Sequence, residues 1–135
     1  MLRIIIADDE FDIVELCRAL ITYPGAKVVG EACNGIELLQ KIGELQPDVV
    51  ITDICMPGMT GLELIERAKQ EFPAVNFIVM SGYTEFQYAQ TALRFGVWDY
   101  LLKPLAPAAL TAGIRKARDA WEKEDAERST KRRNK

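Results

Sequence analysis

Asp8, Asp9, Asp53, Ser81 and Lys103 are the side chains of this 135-residue chain whose types and settings could do chemistry. Each ends an apolar, β-prone run: "IIIADD", "VVITD", "FIVMS" and "YLLK". Three carboxylates gathered at one place would repel, and one would normally take up a proton. A hard divalent cation such as Mg²⁺ removes that conflict, because it takes oxygen ligands and favours carboxylates and phosphate oxygens. An aspartate can also act as a nucleophile and form an aspartyl-phosphate. A nearby lysine and a metal would then offset charge on the phosphoryl oxygens, leaving positioning and electrostatics as the main work. Singly, each residue has a plainer reading: a solvated strand end, a helix cap or a surface lysine. Such residues at the ends of all four of these runs make a pattern that coincidence does not readily produce.

Elements must exist to bring these ends together. Apolar runs alternate with helical patterns along the chain. Strands are predicted at Leu2–Ala7, Lys27–Ala32, Val49–Thr52, Asn76–Ser81 and Tyr100–Leu102. Helices are predicted at Phe11–Tyr23, Ile36–Leu45, Leu62–Phe72, Glu85–Phe95 and from Pro107 onward. Asn34-x-x-Glu37, Thr60-x-x-Glu63 and Thr84-x-x-Gln87 fit or approximate capping boxes, and Gly96 suits a helix C-terminus. In the last helix Leu110, Ile114, Ala117 and Trp121 share one face. Five such β–α alternations imply right-handed crossovers and a parallel sheet covered on both faces. The expected fold is α/β, doubly wound and flavodoxin-like, a (βα)5 domain with strand order 2-1-3-4-5. Such sheets carry their sites beyond the carboxyl ends of the strands, at the switch point between strands 1 and 3.

Composition narrows the function. The chain is 49% hydrophobic and 27% charged, as in soluble globular domains. No apolar run approaches the length of a bilayer span, and the apolar start is too short for a secretion signal. The expected location is therefore cytoplasmic. The chain has no histidine, which excludes histidine triads, histidine-held zinc and phosphohistidine on this chain. Cys17, Cys33 and Cys55 form no CxxC pair and read as reduced thiols. Residues 1–114 carry 8 basic and 15 acidic side chains, and residues 115–135 carry 9 basic and 5 acidic. The basic tail reads as a solvated helix end or linker more readily than as a nucleic-acid patch. The expected division is a domain over 1–121 and a charged helical extension over 122–135.

The motifs "ADDE", "TDICMPGMTGLEL", "MSGY" and "DYLLKP", in this order and spacing, closely resemble the receiver (CheY-like) domain of two-component response regulators. The resemblance covers about residues 2–121. It implies that Asp53 is the phosphoacceptor, charged by a phosphohistidine on a sensor histidine kinase. It implies that Asp8, Asp9, Asp53 and the backbone carbonyl of Cys55 hold Mg²⁺, with Asp9 the more direct of the acidic pair. Lys103 would pair with the phosphoryl group, and the Lys103–Pro104 bond would be cis. Ser81 would hydrogen-bond a phosphoryl oxygen and Tyr100 would be the aromatic switch residue. The face of the fourth helix, fifth strand and fifth helix would change on phosphorylation and could support a homodimer. Such a domain is a phosphoacceptor that assists its own reactions, not an enzyme in the ordinary sense.

A finer resemblance joins Ser81–Pro104 to receivers linked to AraC-type DNA-binding output domains. It implies that DNA contact and transcriptional control belong to an output domain outside this sequence. A free-standing receiver acting by protein–protein contact is the alternative. Two other classes compete. Aspartate phosphatases on similar sheets carry Asp-x-Asp after strand 1, whereas Asp8 and Asp9 are adjacent. A receiver that has lost phosphorylation would lack an acid or the lysine, and all are present. Trp98, in the turn before the last strand, reads as a packed turn aromatic more readily than as a partner contact. Tyr83 stands near the expected phosphoryl site, where it could slow the entry of water.

Overall fold

A computed structural model describes residues 1–22, 24–56, 59–82, 90, 94 and 96–133. The helix predicted over Glu85–Phe95, its Thr84 cap and Tyr83 lie outside the described residues, apart from Gln90 and Arg94.

Among the described residues, seven strands and four helices follow in chain order. They are β1 (Leu2–Ala7), α1 (Phe11–Leu20), β2 (Ala26–Ala32), α2 (Gly35–Leu45), β3 (Val49–Asp53), β4 (Cys55–Met56), β5 (Met59–Thr60), α3 (Gly61–Glu71), β6 (Asn76–Ser81), β7 (Asp99–Leu102) and α4 (Pro107–Arg133). The main sheet has the order β2-β1-β3-β6-β7, and every pairing in it is parallel. Counting only its own strands, that is the predicted 2-1-3-4-5.

Alternation along the strands splits the core into two layers. Ile5, Val50, Phe77 and Val79 point to one side and pack with Leu38 and Ile42 of α2 and Leu64 and Ile65 of α3. Ile4, Ile6, Val49, Ile51, Ile78 and Met80 point to the other, against Val14 and Cys17 of α1 and Leu110, Ile114 and Ala117 of α4. Both faces are buried, so the strands read as unbroken apolar runs rather than as polar–apolar alternation.

Local chemistry sets the helix ends. The Asn34 side chain accepts a hydrogen bond from Glu37 N at 2.8 Å, as its capping box predicts. α2 stops at Gln46, which is left-handed at φ 49°, immediately before Pro47. α1 ends at Leu20, earlier than the predicted Tyr23, and Ile21 N closes it on Cys17 O. Gly96 has φ +82°, a conformation that suits glycine. β4 and β5, a two-residue antiparallel pair between Asp53 and α3, have no counterpart in the sequence reading. Such short pairings carry too few residues to show a period.

Candidate functional site

Parallel register assembles the site. Ala7 lies opposite Thr52, so Asp8 and Asp53 continue side by side at the carboxyl ends of β1 and β3. Asp53 in turn lies opposite Met80, which brings Ser81 to the same rim. Ser81 lies opposite Leu102, and Lys103 N donates to Ser81 O at 2.7 Å, which anchors the lysine there. The peptide bond that follows, Lys103–Pro104, is cis.

The three carboxylates do converge. Asp8, Asp9 and Asp53 each place one oxygen so that all lie within 4.8 Å of one another. Lys103 Nζ sits 2.8 Å from Asp8 Oδ2 and 3.4 Å from Asp53 Oδ2, a single cation bridging two nearly buried acids. Asp8 is 1% exposed and Asp53 is 5% exposed. Burial pushes the Asp8 carboxyl above its ordinary value, against the opposing pull of Lys103 and of Glu10 N, which donates to Asp8 Oδ1. Burial pulls the Lys103 ammonium down, but the two carboxylates outweigh it and leave its pKa raised. The rim therefore combines three hard oxygen donors with one persistent positive charge. That donor set fits a hard divalent cation and an anionic group beside it.

Other predicted residues take their places with less contact. The Ser81 hydroxyl is buried and has no hydrogen-bond partner among the described residues. Tyr100 is half-buried against the α2–α3 layer. Cys55 contributes its backbone to β4, directly after the rim. Trp98 packs on the α1–α4 layer, as a turn aromatic would.

Two contributors were not anticipated. The fully buried Thr52 hydroxyl donates to Asp53 O at 3.0 Å, tying down the peptide of the acid-bearing residue. A cavity of about 230 Å³ opens beside Asp8 and Asp9, walled by Phe11, Glu31, Cys33, Glu37 and Lys41. Thr52 could have been noticed as the one hydroxyl in an otherwise apolar buried strand. The cavity has no sequence signal, because its walls come from three separate elements.

The chain is thus a doubly wound parallel sheet with an acidic, lysine-bearing rim at its switch point. Residues 4–115 match the response regulator receiver domain family, and the chain belongs to it. Over 106 residues it is 48% identical to the transcriptional regulatory protein YesN of Bacillus subtilis, covering 77% of this chain but 29% of YesN. Over 114 residues it is 33% identical to the chemotaxis protein CheY of Thermotoga maritima, covering 84% of this chain and 95% of CheY. The receiver domain of AraT from Geobacillus stearothermophilus superposes with a TM-score of 0.87 at 40% identity, over 92% of this chain and 98% of that one. Among the described residues no helix is long and apolar enough to cross a membrane.

Proposed function

We propose that Asp53 is the phosphoacceptor of this receiver domain. The single observation that carries the reading is Lys103 Nζ held between Asp8 and Asp53 within a three-carboxylate rim. The donor is a phosphohistidine on a sensor histidine kinase. A carboxylate oxygen of Asp53 attacks phosphorus, the P–N bond breaks, and the imidazole leaves with its electron pair and takes a proton. Bound Mg²⁺, held by Asp8, Asp9, Asp53 and the Cys55 carbonyl, would neutralise charge on the phosphoryl oxygens. Lys103 moves from bridging two carboxylates to pairing with the phosphoryl group. The Ser81 hydroxyl, buried at the rim, donates to a phosphoryl oxygen. Its shift gives Tyr100 room to turn, and the face that includes β7 and α4 changes with it.

The output of this switch is transcriptional, through a DNA-binding domain outside this sequence. The kinship with YesN, of which this chain spans 29%, supports that reading. The domain comprises 1–121 and acts in the cytoplasm, and 122–135 is a charged helical extension or linker. The switched face also offers a surface through which two copies could pair. A second reading, a free-standing receiver, is favoured by the 95% coverage of CheY. The length of the native reading frame separates the two.

The test is phosphorylation by a small donor such as acetyl phosphate with Mg²⁺. The wild-type chain should gain a mass shift of one phosphoryl group that mild base treatment removes. Asp53→Asn should gain none. Uptake of label by Asp53→Asn would sink the assignment.

A further inference from the structure

The base of the domain, at the amino ends of the strands and away from the carboxylate rim, holds a second cavity of about 300 Å³. Its walls are Ile42 of α2, the turn before β3, the turn before β6, and Trp121 and Glu124 of α4. The lining is apolar around the rings of Phe72 and Trp121, with Val75 beside them. Its charged members are two carboxylates, Asp48 and Glu124, and no lysine or arginine is among them. Arg3 and Lys69 lie outside the lining, although Lys69 interacts with Glu124. The Arg3 guanidinium donates to Leu45 O at 2.6 Å, outside the lining. Lys69, on α3, has its pKa lowered by burial, with Glu124 acting against that shift. Asp48 uses Oδ2 to accept from Arg3 N at 2.8 Å.

We propose that this cavity binds a small organic cation, a primary amine with an aromatic or branched alkyl body. The hydrocarbon part lies against Phe72 and Trp121, and the ammonium sits toward Asp48 and Glu124. Concave, mainly apolar sites with a few convergent polar groups are where such ligands bind. A cation over an indole face adds attraction that a neutral analogue lacks. The volume accommodates about one substituted ring, at the small end of the range for ligand pockets. Trp121 and Glu124 belong to α4 and the other walls to α2 and the turns of the body, so an occupant joins the distal half of that helix to the base. None of the rim residues takes part, and the site stands independently of the phosphoacceptor reading.

The test uses the full ¹⁵N-labelled chain titrated with 2-phenylethylamine, and with 3-phenylpropionate as a carboxylate of matching size. The amine should produce saturable shifts at the amides of Asp48, Val75 and Glu124 and at the Trp121 indole N–H. Glu124 is exposed, so Glu124→Gln leaves the fold intact, and it should weaken the amine about three- to fivefold. The carboxylate should bind at least that much more weakly. Equal binding of amine and carboxylate overturns the proposal. So does an unchanged affinity in Glu124→Gln, or shifts that miss the base or fail to saturate by about 10 mM.

Discussion

At the scale of single residues, the rim and its surroundings show how position decides what a group can do. Cys17 and Cys33 are the same residue type with opposite prospects. Cys17 is fully buried, and burial, aided by the charge of Asp8, pushes its thiol up to about 11. Cys33 is exposed on the wall of the cavity beside the rim. Since the thiolate is the reactive form, iodoacetamide at about pH 8 should alkylate Cys33 in the native protein and reach Cys17 only after unfolding. Peptide mass spectrometry reads both. Glu37 provides a pH signature. The Lys41 ammonium, then the Cys33 thiol, hold its carboxyl below the ordinary value of 4.5. A depressed folded value means stability that is fully present above the unfolded value and lost as pH falls through the folded one. Between about pH 6 and about pH 3.5, the urea midpoint of the wild type should therefore fall further than that of Glu37→Gln. Equal losses would show that the pair contributes nothing to folding.

At the scale of elements, helix ends and helix faces carry different weights. The Asn34 cap satisfies one N–H at the start of α2, so Asn34→Ala should cost about 1 kcal/mol. Ile114 is 1% exposed in the middle of the α1–α4 layer, so Ile114→Ala should cost about 2–5 kcal/mol. Urea unfolding of the two variants tests that order. The elements were largely legible beforehand, since β1, α2, β3, β6 and the apolar face of α4 all announce themselves by period and punctuation. The predicted α1 runs past the observed end because Ile21 remains apolar and buried after the helix has ended. The register shift between β1 and β2, at Ile4/Ile5, was not legible at all, because a bulge alters pairing without altering composition.

At the scale of the whole molecule, α4 extends well past the layer it helps to form. Its 27 residues span about 40 Å, of which the part up to Trp121 packs on the core layer, with Glu124 reaching the edge of the basal cavity. Beyond it the described side chains are exposed. Deleting residues 122–135 should thus change the unfolding free energy by less than about 0.5 kcal/mol. Trp121→Ala in the full chain should cost more, because the indole packs on the core layer. A large loss on truncation would move the domain boundary past 121. The same long helix starts within a few residues of Lys103 and passes the basal cavity at Trp121 and Glu124.

The amino-acid sequence by itself determined the strands and helices, their alternation, and the identity of the five chemically able side chains. Those depend on local propensity, period and turn residues, which are written in short windows. Tertiary structure alone decided that Lys103 lies between Asp8 and Asp53, that Thr52 braces the Asp53 peptide, and that two cavities exist. Each of these joins residues from elements far apart in the chain. Their distances are set by strand register and by the packing of two core layers, and neither is encoded within any one segment.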